Sequence, residues 1–217
     1  MSRLEFTDSA VHKILRNVGI DGPLAKNVLV EVVNALPQIQ ATKHPLGFAH
    51  LELTTVLGTP FRTRLHVWTQ ETMQWADVLG NLHDHTWELR SAVLTGELTD
   101  SFLEPREVPG GEYGAYQIQY GDAGNTTVRL PGRWSLDEAG VRTVLRGETY
   151  TLPPRIVHRT SVDCFPTATL VVAKEFGGDG PLVFLPGDAR DIPAGQRVGL
   201  DTSWSSSALE RAIDSLS

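Results

Sequence analysis

Three histidines carry the chemistry open to this sequence. His83 and His85 stand two apart in the run Asn81-Leu82-His83-Asp84-His85-Thr86-Trp87-Glu88, and His158 closes the run Gly147-Glu148-Thr149-Tyr150-Thr151-Leu152-Pro153-Pro154-Arg155-Ile156-Val157-His158. Side chains two apart on a strand project from the same face, so His83 and His85 can aim two imidazoles at one point. His158, from a separate strand, can supply a third. Three neutral imidazoles with open coordination positions form a site for a catalytic divalent metal. Asp84 points the opposite way on a strand and reads as a group that orients an imidazole rather than as a ligand.

Other polar residues could join this site. Glu88 follows His85 after only Thr86 and Trp87, and it is either a further ligand re-aimed by a bulge or a carboxylate outside the coordination shell. Arg90 projects on the same side as Glu88: inward it would bind an anion, outward it would pair with a surface charge. Along Phe61 to Trp68 the residues alternate, with Arg62, Arg64, His66 and Trp68 on one face and Phe61, Thr63, Leu65 and Val67 on the other. An antiparallel strand commonly turns such a cationic face to solvent. Trp68 argues for burial, and an inward Arg64 could clamp a substrate carboxylate with two hydrogen bonds. Tyr150 and Trp87 either close the pocket or pack the core. His44 and His50 flank the Pro45-Leu46-Gly47 turn and read as ordinary loop and strand histidines, and His12 as a helix-surface residue.

These residues need a scaffold of strands. From His50 to Leu185 short runs rich in Val, Leu, Thr, Tyr and Trp alternate with Gly, Pro, Asn and Asp. Strands are expected over His50 to Leu57, Arg62 to Thr69, Glu88 to Leu94, Leu98 to Leu103, Tyr116 to Tyr120, Thr126 to Leu130, Thr143 to Leu145, Glu148 to Leu152, His158 to Val162 and Ala168 to Ala173. Many short strands separated by turns point to a sandwich or barrel. Ahead of them, Asp8 or Ser9 can cap a helix through Val11, Ile14, Leu15 and Val18. After a turn at Asp21-Gly22-Pro23, a second helix runs from Leu24 to about Leu36 and stops before Pro37. A loop around Pro186, Gly187, Pro193 and Gly195 leads to a short final helix after Ser205 or Ser206. The organisation is an N-terminal helical segment over residues 1–42, a β-barrel over 43–186, and a C-terminal loop and short helix over 187–217.

Composition narrows the partners. The 217 residues carry a net charge of −7, with 41% hydrophobic and 21% charged residues, as in an ordinary globular protein. A negative chain without basic runs disfavours nucleic acid. No apolar run approaches the roughly 20 residues that span a bilayer, and the first residues lack the apolar core of a signal peptide. With Cys164 as the only cysteine there is no intrachain disulfide, and a cytoplasmic location is expected. Cys164 itself reads as a packed or bland thiol rather than a nucleophile.

The two histidine segments resemble the motifs of the cupin superfamily, G-x5-H-x-H-x3,4-E-x6-G and G-x5-P-x-G-x2-H-x3-N. The first corresponds to His83, His85, Glu88 and Gly96, and the second to Gly147, Pro153, Arg155 and His158, with the Gly-to-Pro-to-His spacing intact. Leu89 takes the usual glutamate position counted back from Gly96, Arg155 replaces the usual glycine, and Ser161 or Val162 stands near the usual asparagine. The resemblance implies a mainly-β single cupin barrel, a double-stranded β-helix or jelly roll, with helices at both ends. The run His83-Asp84-His85 followed by Leu94-Thr95-Gly96-Glu97-Leu98 is most similar to the thiol dioxygenase branch, typified by cysteine dioxygenase. Those enzymes hold ferrous iron with three histidines and add both atoms of O2 to a thiol. The cysteine-specific residues of that branch do not carry over: Leu89 and Thr160 are not among them, and no tyrosine closely follows His158.

The resemblance therefore implies a cupin-type non-haem iron oxygenase. Its metal ligands would be His83, His85, His158 and Glu88, and its catalytic candidates Glu88, Arg90, Arg64 and Tyr150. The metal would be Fe(II) by preference, with Zn, Ni or Mn as alternatives. The partners would be O2 and a small polar substrate bearing a thiol or carboxylate, and a homodimer is compatible with N-terminal helices at an interface. The competing readings are a non-redox isomerase, epimerase or lyase that uses the metal as a Lewis acid, and a non-catalytic ligand-binding cupin.

Overall fold

Strand order defines the architecture. In the computed structural model, which describes residues 6–76, 82–119, 126–174, 179–187 and 198–216, eight strands form two facing sheets. They are β3 (Arg62–Trp68), β4 (Leu82–His83), β5 (Glu88–Thr95), β6 (Glu97–Glu107), β9 (Trp134–Leu145), β10 (Thr149–Leu152), β11 (Val157–Ser161) and β12 (Thr167–Lys174). One sheet runs β3-β12-β5-β10 and the other β4-β11-β6-β9. Counted in chain order, these are the first, eighth, third and sixth strands opposite the second, seventh, fourth and fifth. That is the double Greek key of a jelly roll, so the expected double-stranded β-helix is borne out.

Additions enlarge both sheets. β1 (Gln40–His44) and β2 (Phe48–Glu52) extend the first sheet beyond β3, while β7 (Tyr113–Gln119), β8 (Thr126–Arg129) and β13 (Leu182–Pro186) extend the second. β13 pairs with both β4 and β7, so the second sheet curls back on itself. Between β5 and β6 the chain reverses at Gly96 with φ 72°, where a Cβ would lie 2.0 Å from Thr167 Oγ1. Only glycine fits there.

Helices cover the outer face of the first sheet. α1 is Phe6–Leu15, α2 is Gly22–Ala35, and α5 near the C-terminus is Thr202–Asp214. Val28, Leu29 and Val32 of α2 and Leu209 and Ala212 of α5 share one buried cluster with Leu51, Leu65, Val67, Ala92, Leu94, Leu170 and Val172 of the sheet. Each of these valines and leucines contributes about 1.5–3 kcal/mol by leaving water. Among the described residues no helix is long and apolar enough to cross a membrane.

Several boundaries differ from the sequence expectation for local reasons. α1 already begins at Phe6, so Asp8 and Ser9 lie inside it rather than at its cap. Asp21, expected in a turn, caps α2 by accepting from Leu24 N–H at 2.9 Å, and Gly22-Pro23 form the first helical turn. Pro37 falls in a 3-10 turn, Leu36–Gln38, that continues the helix. α5 starts a turn earlier than expected because Asp201 accepts from Trp204 N–H at 2.7 Å. The expected strand His50 to Leu57 stops at Glu52, and Thr54–Leu57 forms a single helical turn, α3, closed by left-handed Gly58. Another short helix, α4, is Gln70–Met73, and Thr69 and Thr72 build its capping box. β9 is far longer than Thr143 to Leu145, because its polar first half pairs with β6 down to Glu107↔Trp134. The expected strand end at Tyr120 and the loop at Pro193 and Gly195 lie outside the described residues.

Candidate metal centre

The two-residue strand β4 delivers His83, and His85 follows on the same side. β11 delivers His158 directly opposite His83. The ring centroids lie 4.8 Å apart for His83–His85, 4.6 Å for His83–His158 and 5.1 Å for His85–His158. One nitrogen from each ring falls within 4.8 Å of the others, which is the spacing three ligands of one ion require. The donor set fits a borderline divalent metal that takes imidazole, such as Fe, Zn, Ni or Cu. Among the described residues no carboxylate joins the group.

The surroundings favour the neutral form of His85 and His158 and orient the His158 ring. His158 is buried, and its Nδ1 lies 3.2 Å from the Ile156 carbonyl. A carbonyl only accepts, so Nδ1 carries the proton and Nε2 keeps its lone pair for a metal. Burial pushes the His85 pKa well below the ordinary imidazole value, with the positive ends of His83, His158, Arg64 and His44 adding to it. Burial also lowers His158, against the opposing pull of Asp100, the Ile156 carbonyl and Asp84. Both rings are thus ready to bind a cation.

Asp84 points away from the histidine cluster, as the alternation requires. Its carboxylate is 2% exposed, accepts from Leu182 N–H at 2.7 Å and pairs with Arg155 at 3.3 Å. Arg155 holds φ 65°, the left-handed conformation of the glycine it replaces. The substitution therefore preserves the turn shape at a cost of about 1–2 kcal/mol.

Glu88 and Arg90 do not reach the histidines. Their register opposite Lys174 and Val172 is regular, and the irregularity of that pairing lies at Ala168/Thr169, so no bulge re-aims Glu88. Both side chains lie on the outer face with Ala92 and Leu94, beneath the helices. Arg90 Nε donates to Glu88 at 2.7 Å, and its Nη1 donates to the Leu15 carbonyl of α1. Leu89, at the usual glutamate position, is the residue that faces inward, packed with Trp87, Leu152 and Val171.

Arg64 does reach the interior, contrary to the usual outcome for a cationic strand face. Leu65 and Val67 go to the helix-covered core, so Arg64, His66 and Trp68 turn into the barrel. The outer face here meets apolar helices rather than water, which reverses the normal alternation. Arg64 is 6% exposed, lies 3.9 Å from Glu52 and stands 5.7 Å from the ring of Trp87. Trp87 in turn lies 5.1 Å from the ring of His85.

Tyr150 also faces inward, between the clusters around Trp68 and Trp87. Burial raises its pKa above the ordinary phenol range, and the Asp100 carboxylate adds to the rise. The phenol therefore stays protonated at neutral pH.

Two groups of interior residues carry no local signal in the sequence. Asp100, 1% exposed, accepts from Arg142 at 2.9 Å and from Thr160 at 2.7 Å, and Arg142 lies 4.7 Å from the Tyr150 ring. These partners meet only through the β6–β9 and β6–β11 registers. His44 and His50, read as ordinary, line the inner face of β1 and β2, where Phe48 stacks between His44 and His66. Their only visible sign is alternation with the apolar Ala49 and Leu51.

No protein-family model matches the chain, and no curated protein matches it. Solved structures similar to it include hydroquinone 1,2-dioxygenase PnpCD in complex with Cd2+ and 4-hydroxybenzonitrile, at 17% identity and TM-score 0.30 over 53% of this chain and 58% of that one. A chain from the crystal structures of DMSP lyases RdDddP and RnDddQII is similar at 16% identity and TM-score 0.40 over 78% of this chain and 74% of that one. An RmlC-like cupin from Shewanella frigidimarina is similar at 12% identity and TM-score 0.32 over 70% of this chain and 88% of that one.

Proposed function

We propose that this chain is a metal-dependent enzyme of the cupin type, an Fe(II) dioxygenase acting on a small polar substrate that bears a thiol or a carboxylate. One observation carries the reading: three imidazoles converge inside a barrel that also holds the buried Arg64. When bound there, ferrous iron would supply redox chemistry toward O2 and a Lewis-acidic anchor for the substrate.

The chain's own residues do the rest. His83, His85 and His158 would hold the ion, and burial keeps the pKa of His85 and of His158 below the ordinary imidazole value. Arg64 takes a substrate carboxylate in its planar fork and fixes the substrate's direction. Trp87, buried between Arg64 and His85, keeps water off that side of the substrate. Tyr150, held protonated, donates a hydrogen bond and does not act as a base.

The test is elemental analysis of freshly purified protein, with O2 uptake measured against a panel of small thiols and carboxylic acids. Near-stoichiometric iron and substrate-dependent O2 uptake that vanishes in H83A support the reading. Bound zinc or nickel, with turnover indifferent to anaerobic conditions, replaces it with Lewis-acid isomerase or lyase chemistry. Iron-loaded protein that consumes no O2 with any compound of the panel counts against it.

A further inference from the structure

Arg155 holds a backbone conformation that glycine adopts freely and an L side chain adopts at a cost. Its guanidinium is anchored to three groups. Nη1 donates to Asp84 Oδ2 at 3.3 Å and to the Gly180 carbonyl at 3.1 Å, and Nη2 donates to the Asp179 carbonyl at 2.8 Å. Its backbone N–H donates to the carbonyl of His85 at 2.7 Å. One residue thus touches the segment between the first two imidazoles, holds the second through its backbone, and opens the turn that leads to the third.

Two of the anchor points are packed into the barrel. Asp84 is buried and also accepts from Leu182 N–H at the start of β13. A Cβ on Gly180 would lie 1.6 Å from the Ile118 carbonyl oxygen, so the chain there lies pressed against β7. β13 is itself paired to His83, through Val183.

We propose that Arg155 is a positioning residue for the metal, its guanidinium setting the place of the His83–His85 pair relative to His158 through Asp84. The inference rests on the three imidazoles being a metal site. A residue that merely shaped the turn would be replaced by glycine without loss, because glycine relieves the backbone while keeping its shape.

The experiment titrates the full-length apo protein with Co(II), reading Kd by competition, the ligand-field spectrum, and the apo melting temperature. R155G is expected to weaken Co(II) binding roughly 10–100-fold and to alter the spectrum, as removal of a partner that orients metal ligands does. R155K keeps a charge for Asp84 but cannot reach both carbonyls, so its Kd falls between the two. D84N matches R155G, and the double variant is no weaker than either single one, because the two act as a unit. Wild-type Kd and spectrum in R155G overturn the inference. If R155G does not fold, R155K decides: a weaker Kd supports it and an unchanged one overturns it. Absence of Co(II) binding by the wild type overturns the metal site and the positioning role together, whereas tight binding that no variant changes overturns only the latter.

Discussion

His83 and His158 are cross-strand partners: β4 and β11 run antiparallel with these two residues opposite each other and their rings 4.6 Å apart. A sheet pairing, rather than a flexible loop, fixes the distance between two prospective ligands. Replacing either by alanine removes one of three donors without disturbing the core clusters. H83A and H158A are each expected to retain a native circular dichroism spectrum and to lose bound metal after dialysis, from near one ion per chain to near zero by emission spectrometry.

The lowered imidazole pKa values set a pH dependence. A base whose folded pKa lies below its unfolded value of about 6.5 binds fewer protons folded than unfolded. The neutral rings of His85 and His158 therefore contribute no penalty above that pH, and stability is lost as pH falls below it toward the folded values. The apo melting temperature should be level from pH 8 to pH 7 and decline below about pH 6.5. H85A and H158A, lacking one buried base each, should decline less steeply.

Arg64 is the interior cation nearest the histidines that the sequence singled out. R64A is expected to raise KM for an acidic substrate by about 10–100-fold, the loss of a charged, two-pronged hydrogen bond, with metal content unchanged. R64K should recover only part of this, because an ammonium lacks the fork. A neutral analogue of the same substrate should be insensitive to both changes in steady-state kinetics.

Glu88 should behave as a structural surface group. E88Q is expected to leave metal content and Co(II) affinity at wild-type values, and to shift stability by no more than about 1 kcal/mol in urea, since its pair with Arg90 is partly solvated.

The pair of Asp100 and Arg142 differs from that one in the burial of its carboxylate. D100A leaves Arg142 beside two aromatic rings without its carboxylate and Thr160 without its acceptor. A loss of about 1–3 kcal/mol is expected in urea unfolding of the apo protein, as Thr160 loses its acceptor and Arg142 its hydrogen-bond partner. A double variant D100A/R142M should regain a measurable part of it.

The histidines and the barrel were legible because both are local patterns: a two-residue spacing, glycine-marked turns and runs of alternating strand residues. Arg64 was harder. Its face depends on α1, α2 and α5 covering the outside of the first sheet, and no residue of the strand itself announces that cover. Glu88 turned on a bulge that the pairing with β12 places elsewhere. The polar half of β9 reads as loop until its register with β6 is known. Asp100 and Arg142 become partners only through that same register. What remained hidden was everything decided by which strand lies beside which.

The shortness of β4 has a consequence for how the protein is made. Two residues cannot hold a strand in place, and β4 is held by β11 on one side and β13 on the other. A chain emerging from the ribosome therefore carries His83 and His85 long before it carries the means to aim them. The cradle is expected to take its final shape only once the segment through Pro186 has been made and has paired with β4. Any metal these histidines take would then bind late in folding, and a fragment that stops short of β13 is expected to hold all three histidines with β4 paired on one side only.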